Sequence, residues 1–476
     1  MVCTFKKFNP ISITARYIQA SYVIQISKKE EVIKMMNEIK KADNWLGGLQ
    51  WLMFIFINTV VVPITVGAAY DLSQEHIVSM MQFSFIIGGI GCLLQAIIGH
   101  RRPIMDGPSG LWWGVILALS SMSAAQGIPL AEVGGSIAVG VIIAGVLTIL
   151  IGITGFGYYL EKLFNPSVMG TFMLLFGVSL CISFFKYMFI SPTEGTIDIG
   201  MGLISLFIAI LVIVLSVKGS KKIAQYSMLI GIVVGWPLFA VILGSESQLG
   251  GGVPSTIELF LFPLGEPAWN IGIIITVVVT GILNLSKQYG SIKGTDIMYP
   301  DQPSTSKDYR NSFTITGVQS ILSGFLGLVP YSPFVSSIGF IQQTKIYDRM
   351  PFLFASVMFF IMGIIPQIGY FFTLLPLSIG SAVLFVSYVT LFGSGLEWYE
   401  KVTFNSTNVY RAAIPLFIGL VLFAIPGSAW ATLPEFAQPL LSSGLLMGTI
   451  IAIVVESLTD WDKVGIEKEV TQGKNV

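Results

Sequence analysis

The sequence is short of charge, of cysteine and of histidine. Of 476 residues only 11% are charged, while 54% are hydrophobic. A soluble domain carries about 25% charged residues, so this chain cannot clothe itself in a water-facing surface. Lys plus Arg and Asp plus Glu balance at 26 each, which leaves no basic excess for a nucleic-acid partner. Cys3, Cys92 and Cys181 stand far apart without ligand-type neighbours. They make neither a disulfide framework nor a metal motif. The two histidines, His76 and His100, sit beside the ends of apolar runs. No nucleophile–base pair, metal-ligand cluster or phosphate loop is visible. The reading is not an enzyme, and no cofactor is implied.

Long apolar runs are what the chain has instead. A bilayer span takes about 20 predominantly apolar residues. Such runs lie near 46–69, 77–99, 109–123, 133–155, 166–185, 199–217, 226–244, 271–290, 312–329, 335–345, 351–368, 376–393, 411–427 and 435–457. The expectation is an all-α polytopic membrane protein of fourteen transmembrane segments. The third and tenth runs are too short to cross alone as helices, and both follow proline- or glycine-rich stretches. Residues 1–44 hold eight Lys/Arg and no long apolar run; they read as a cytoplasmic tail, without the pattern of a secretory signal. Residues 458–476 read as a second cytoplasmic tail.

Charge sets the orientation. With the N-terminus inside and the chain alternating through fourteen spans, 25 of 26 Lys/Arg fall on the cytoplasmic side and only Lys186 faces out. Outer segments carry acids, among them Asp71, Glu75, Glu132, Glu258 and Glu266. This satisfies the positive-inside rule and places both termini in the cytoplasm, with the protein in the cytoplasmic membrane. Asn405-Ser406-Thr407 fits a glycosylation sequon but lies inside in this topology. Glu456, near the inner end of the last span, is expected to meet the headgroup region.

The chain repeats itself weakly. Gly157-Tyr158 followed by Pro166-Ser-Val-Met-Gly170-Thr171 has a counterpart in Gly369-Tyr370 followed by Pro376-Leu-Ser-Ile-Gly380-Ser381, with the prolines 210 residues apart. The short third and tenth spans begin near Asp106 and Pro333, 227 residues apart. Two seven-span halves, 45–225 and 226–457, account for both offsets. Seven is odd, so the second half is inverted. Inverted repeats with one interrupted span in each half mark secondary transporters, whose site lies between the broken elements.

Hydrocarbon leaves no backbone N–H or C=O unpaired. Neither Arg102-Pro103-Ile-Met-Asp106-Gly107-Pro108-Ser109-Gly110 nor Val329-Pro330-Tyr331-Ser332-Pro333 continues as a regular helix. Paired as short strands, the two stretches would satisfy one another. Each would lead into a half-helix whose N-terminus, with free N–H groups, suits carbonyl or anionic ligand atoms.

Several motifs, in order along 46–457, resemble the nucleobase–ascorbate transporters, the family of uracil, xanthine and purine permeases. Gln50-Trp51 with Thr59-Val60-Val61-Val62-Pro63 is similar to the family's first-span Gln-His and Thr-Val-Leu-Val-Pro. Gly107-Pro108-Ser109-Gly110-Leu111-Trp112 resembles its third-span Gly-Ser-Ser-Phe-Ala-Phe. Pro166, Gly170-Thr171 and Leu174-Leu175-Phe176-Gly177-Val178 resemble its fifth-span opening. Gly324-Phe325-Leu326-Gly327, Tyr331 and Ser336-Ser337-Ile338-Gly339 resemble its ninth-to-tenth-span signature. The resemblance implies a seven-plus-seven fold. A core of spans 1–4 and 8–11 would move against a gate of spans 5–7 and 12–14. A planar base would bind between the paired strands and span 8. The resemblance also implies proton or sodium coupling and a homodimer through the gate.

The departures from the family are specific. Its span-8 glutamate is replaced by Lys287 and its following histidine by Ser291, within Asn284-Leu285-Ser286-Lys287-Gln288-Tyr289-Gly290-Ser291. Its tenth-span Glu/Gln-Asn is Ser336-Ser337 here. The carboxylates that would grip a base's N–H groups are missing, and an ammonium donates only; it favours ring carbonyls or an anionic base.

The candidate substrate-binding residues are Asn58, Ser109, Gly110, Trp112, Lys287, Ser291, Ser336 and Ser337. Asp106 and Lys287 are candidates for ion coupling. Each has a plainer reading beside it. Lys287 snorkels to the interface or faces the site. Asp106 caps the third-span half-helix or couples an ion. Asn58 bonds a neighbouring helix or the substrate. Trp112 and Trp113 anchor at the interface or stack on a base. The serines and glycines permit close packing or touch ligand. A purine permease, such as one for xanthine, is the favoured reading. An anion transporter of the related seven-plus-seven fold is the alternative, motivated by Lys287 and the lost glutamates.

Overall fold

The computed structural model describes residues 41–461 except 156–164, 192–194, 221–222, 225, 245–255, 390, 407 and 435–436. Most of both tails, Gly157-Tyr158 of the repeat motif and Thr407 of the sequon lie outside the described residues.

The first helices are α1 (Ala42–Ala69) and α2 (Gln74–Ile97). Strand β1 (Asp106–Pro108) leads into α3 (Gly110–Gln126), followed by α4 (Leu130–Thr154). Then come α5 (Pro166–Phe189), α6 (Ile199–Lys218), α7 (Ser227–Ile242), α8 (Ile271–Gly294) and α9 (Ser306–Leu326). Strand β2 (Tyr331–Pro333) leads into α10 (Ser336–Thr344), and α11 (Arg349–Ile364) and α12 (Pro366–Thr373) follow. The chain ends in α13 (Leu377–Val389), α14 (Leu391–Tyr399), α15 (Tyr410–Ala424), α16 (Gln438–Ser442) and α17 (Gly444–Leu458). Among the described residues six helices are long and apolar enough to cross a bilayer, namely α1, α2, α4, α5, α6 and α8; a seventh span follows if the bent pair α11–α12 is one. Helix α6 shows why such a chain needs lipid. Ile199, Leu203, Ile210 and Val217 are 72%, 62%, 52% and 76% exposed along one face, an apolar stripe that water would not tolerate.

Three apolar runs are broken where one segment was expected. The run through 351–368 bends by 90° between α11 and α12. Pro366 lacks a donor and drives Ile365 into extended backbone (φ −94°, ψ 103°). The run 376–393 ends in a second helix, α14. The run 435–457 divides at Ser443, whose backbone is extended and whose hydroxyl caps α17 by accepting from Leu446 N–H at 3.3 Å. Both repeat-motif prolines do open helices: Pro166 begins α5 behind the Asn165 cap, and Pro376 immediately precedes α13.

Helices pack into two groups. In the first, α4 lies along α9 and α8, and α11 lies along α1 and α2. In the second, α5 meets α13, α14, α15 and α17, while α6 meets α7 and α13. Small residues allow the closest approach. A Cβ on Gly145 of α4 would stand 2.8 Å from Gly317 O, and one on Gly317 of α9 would stand 2.7 Å from Gly145 O. Dispersion between closely packed backbones carries helix association where lipid supplies no hydrophobic drive.

Charged groups tie the ends together. Arg102 pairs with Asp296 at 2.7 Å, donates to Gln302 O at 2.8 Å and to Thr295, and lies over the Tyr299 ring. Burial pushes the Asp296 carboxyl up, but bonds from Ser304 N–H, Lys293, the Ser304 hydroxyl and Arg102 hold it below the usual carboxylate range. Arg101 pairs with Asp308 at 2.7 Å. Glu456 does not reach for headgroups. It is 6% exposed, paired with Arg411 at 2.7 Å and bonded by Asn165 Nδ2 at 2.6 Å, which clamps α17, α15 and the start of α5.

Replacing Gly317 by Leu should drive a side chain into the α4 backbone and cost about 1–3 kcal/mol of stability. A clear fall in melting temperature of the purified protein is expected. An unchanged transition would show that the two helices are free to separate at that point.

Candidate functional site

Strands β1 and β2 pair antiparallel, with Asp106 opposite Pro333, Gly107 opposite Ser332 and Pro108 opposite Tyr331. The pairing extends beyond the strands. Ser109 N–H donates to Pro330 O at 2.8 Å and Phe334 N–H donates to Met105 O at 2.8 Å. All six strand residues are buried. The Tyr331 hydroxyl ties the pair to α2 by donating to Ser84 O at 2.9 Å.

Helix α8 runs past these strands with a polar stripe. Asn284, Lys287 and Ser291 fall at i, i+3 and i+7, which places them on one helix face. They are 2%, 6% and 0% exposed. Asn284 bridges the two strands: its Oδ1 accepts from Ser109 Oγ at 2.8 Å and its Nδ2 donates to Tyr331 O at 3.5 Å. Ser291 Oγ lies 2.9 Å from both Pro333 O and Lys287 O. Lys287 Nζ donates to Ser109 Oγ at 3.4 Å.

The Lys287 ammonium does not snorkel to water. Its other neighbours are the faces of Phe334 and Phe176, 5.2 Å and 5.8 Å from the ring centroids. Among the described residues no carboxylate is ion-paired with it. A buried ammonium held by one hydroxyl and two ring faces is poorly compensated, and its remaining N–H groups are available to an acceptor. Phe176 belongs to α5, so Lys287 stands where the two helix groups meet. Phe176 also meets Tyr388 of α13, with ring centroids 6.0 Å apart.

The other sequence candidates divide. Gly110 joins the cluster. A Cβ there would run into the Phe176 ring and stand 3.4 Å from the Tyr388 hydroxyl, so glycine lets the ring close against the start of α3. Ser337 supports the strands by accepting from Met105 N–H at 3.1 Å. Trp112 is 1% exposed, and a Cβ on Gly281 of α8 would stand 3.3 Å from its ring; Trp113, also 1% exposed, donates to Thr65 Oγ1 at 2.8 Å. Neither is an interfacial anchor. Ser336 is exposed at the start of α10. Asn58 donates to Phe54 O of its own helix at 2.8 Å, not to a neighbouring helix. Asp106 lies in β1, and its carboxylate faces Gly91 of α2 rather than Lys287: Oδ2 would stand 3.3 Å from a Cβ on Gly91. No described bond joins it to an N–H of α3.

The Permease family (Xan_ur_permease) matches residues 43–428. The chain belongs to this permease family. It is therefore a multi-pass membrane transporter and not an enzyme. YwdJ of Bacillus subtilis, named as a purine permease, is 28% identical over 437 residues, covering 87% of this chain and 96% of the relative. The xanthine permease of Bacillus subtilis is 26% identical, over 86% of this chain and 92% of its own length. The uric acid permease PucJ of the same organism is 25% identical, over 85% and 90%. The fold is similar to the transmembrane domain of the cyanobacterial bicarbonate transporter BicA, with TM-score 0.58 and 15% identity over 87% of this chain and 96% of that one. It is also similar to the murine anion transporter Slc26a9 in its inward-facing state, with TM-score 0.57 and 12% identity over 90% and 70%.

Sequence reasoning missed Asn284, Phe176, Phe334 and Tyr388 in this permease. The i, i+3, i+7 stripe on α8 was a legible signal for Asn284. The three aromatics carried none, because an aromatic in an apolar run reads as packing.

Lys287→Met removes a poorly compensated buried charge and replaces it with an apolar chain of similar length. By the logic of buried ions, the ligand-free variant should melt higher than the parent protein by a few degrees. A lower melting temperature would mean that the ammonium is better paired than its neighbours suggest.

Proposed function

We propose that the chain is a secondary transporter of the cytoplasmic membrane that moves a purine nucleobase, such as xanthine, by alternating access. The arrangement that carries this reading is the buried Lys287–Ser109–Asn284 group at the strand ends, flanked by Phe176 and Phe334. A flat ring between the two phenylalanines would meet one ammonium, one hydroxyl and one amide. Lys287 offers donors only, while Ser109 and Asn284 offer both roles. Ring carbonyls, or a base that has lost a proton, match that set. The names of the relatives point to the same substrate class.

Substrate contacts fall to Lys287, Ser109, Asn284 and the backbone at Gly110, against which the Phe176 ring closes. Ser291 and Ser337 hold the strands, and Trp112 sets the distance between α3 and α8. Asn58 and Ser336 lie outside this set. Asp106 belongs to ion coupling, by proton or sodium.

The fourteen-span reading takes α3 with β1 and α10 with β2 as the interrupted third and tenth spans. The antiparallel strand pair is what two inverted halves, 45–225 and 226–457, would produce at their meeting point. The two packing groups then supply a core (α1–α4 and α8–α11) and a gate (α5–α7 and α13–α17), with Lys287 at their boundary. Movement of one against the other exposes the site to either side in turn. Arg101, Arg102 and Arg349 gather at one end through Asp308, Asp296 and Ala96 O, which supports a cytoplasmic placement of those loops. A homodimer through the gate completes the reading.

The test is uptake of radiolabelled xanthine, hypoxanthine, guanine and uracil by cells expressing the protein. Accumulation of a purine is expected, with at least a tenfold loss in Lys287→Gln. The unpaired ammonium also admits an anion as cargo. Competition by sulfate or bicarbonate but not by bases, abolished in Lys287→Ala, would replace the purine with an anion.

A further inference from the structure

Residues 256–270 lead into α8 without forming a helix or a strand, yet they are firmly seated. They lie at the end of α9 away from Arg101 and Asp308. Phe262 N–H donates to Phe325 O at 2.8 Å, and the two rings meet with centroids 5.4 Å apart. On α2, Ser79 Oγ donates to Glu258 O at 2.8 Å and the His76 ring meets Phe260. On α4, Ser136 Oγ accepts from Asn270 N–H at 3.1 Å. Leu264 is buried, and a Cβ on Gly134 or Gly135 would collide with Leu264 O or Glu266 O. The glycines of α4 thus let this strap press on the helix. Phe262 holds a left-handed backbone, φ 53°, which a bulky residue keeps only where its surroundings over-determine it. Phe260 and Phe262 turn towards the helices. Leu259, Leu261 and Trp269 do not: they are 58%, 59% and 74% exposed.

We infer that the strap is an interfacial anchor, with Leu259, Leu261 and Trp269 seated at the boundary between lipid headgroups and acyl chains. Val318, Leu322 and Phe325 are exposed at i, i+4 and i+7 of α9, one apolar face of the kind a bilayer covers. The strap continues that face past Phe325. Its depth follows from the helix. From Asp308 to Phe325, α9 rises about 26 Å at about 1.5 Å per residue, close to the thickness of about 30 Å of the hydrocarbon layer. With the Arg101–Asp308 pair at one polar boundary, Phe325 and the strap fall at the other. Hydrocarbon excludes a deeper seat, because irregular backbone would be left unpaired there. A seat wholly in water would forgo the transfer of three large apolar side chains out of it. The boundary suits tryptophan, and the exposed Glu258 and Glu266 keep the strap from sinking further. Joined to α2, α4 and α9, the strap fixes the depth at which this end of those helices sits. This placement rests on the membrane setting alone and not on the substrate.

The test is spin labelling in phosphatidylcholine nanodiscs, with single cysteines introduced into the full chain carrying Cys3→Ala and Cys181→Ala; Cys92 is buried. Collision with oxygen, which concentrates in lipid, and with a water-soluble nickel chelate reports depth. Labels at Leu259→Cys and Leu261→Cys should favour oxygen several-fold over a label at Glu266→Cys. Brominated lipids should quench the fluorescence of the parent protein more than that of Trp269→Phe. Equal access of nickel to all three labels overturns the inference. So do labels at 259 and 261 shielded from both reagents, which would mean that a second copy or another protein covers them. A label at Leu322→Cys reads the anchoring: adding Leu259→Asp with Leu261→Asp should shift it towards water, and an unmoved label overturns the anchor. The same double variant should melt in detergent within a degree or two of the parent; a large fall would place the leucines in protein packing and also overturn it. Purine uptake enters none of these readouts, so their failure leaves the transporter reading standing, and failure of uptake leaves the anchor.

Discussion

Backbone hydrogen bonding in hydrocarbon is the constraint on which the rest depends. A helix meets it within one segment. Pro103, Pro108, Pro330 and Pro333 deny that solution to two stretches, which must find partners elsewhere. They find each other: three strand pairs, extended by the Ser109–Pro330 and Phe334–Met105 bonds, close the ladder. Leftover acceptors and donors are met by side chains. Ser291 bonds Pro333 O, Asn284 reaches Tyr331 O, and Ser337 accepts from Met105 N–H. The polar residues of α8 and α10 are thus recruited first to complete a backbone. A site of fixed geometry follows from that completion.

The strand pair also separates two charges of opposite sign. Lys287 lies on the side where the two helix groups meet, among Ser109, Phe176 and Phe334. Asp106 lies against α2 and α9, among glutamines. Had the two met, they would have formed a closed ion pair with little left for a ligand. Kept apart, each leaves unused valence: N–H donors on one side and oxygen acceptors on the other.

Placing charge at depth requires rigid surroundings, and small residues provide them. The reciprocal approach of Gly145 and Gly317 seats α4 on α9, which fixes the face carrying Ser312, Thr316 and Gln319. Helix α8 packs on the same α4. The Glu456–Arg411–Asn165 clamp does the corresponding work among α17, α15 and α5, and α5 carries Phe176.

The sequence by itself determined the membrane setting, the family and the positions of most apolar segments, because these follow from hydropathy, charge and short motifs that act locally. It also marked 102–110 and 329–333 as stretches that no helix absorbs, since proline removes a donor whatever its surroundings. Lys287 and Ser109 were legible as departures and matches within those motifs. Tertiary structure alone decided which candidates meet. Ser109 and Lys287 are 178 residues apart and share a bond; Asn58, equally polar, spends its amide on its own helix. It also decided that Glu456 pairs with Arg411, that α11 and α12 diverge by 90°, and that Gln95 and Gln319 neighbour Asp106. A side chain's chemistry is written locally. Whether its valence is satisfied depends on neighbours that only packing brings together.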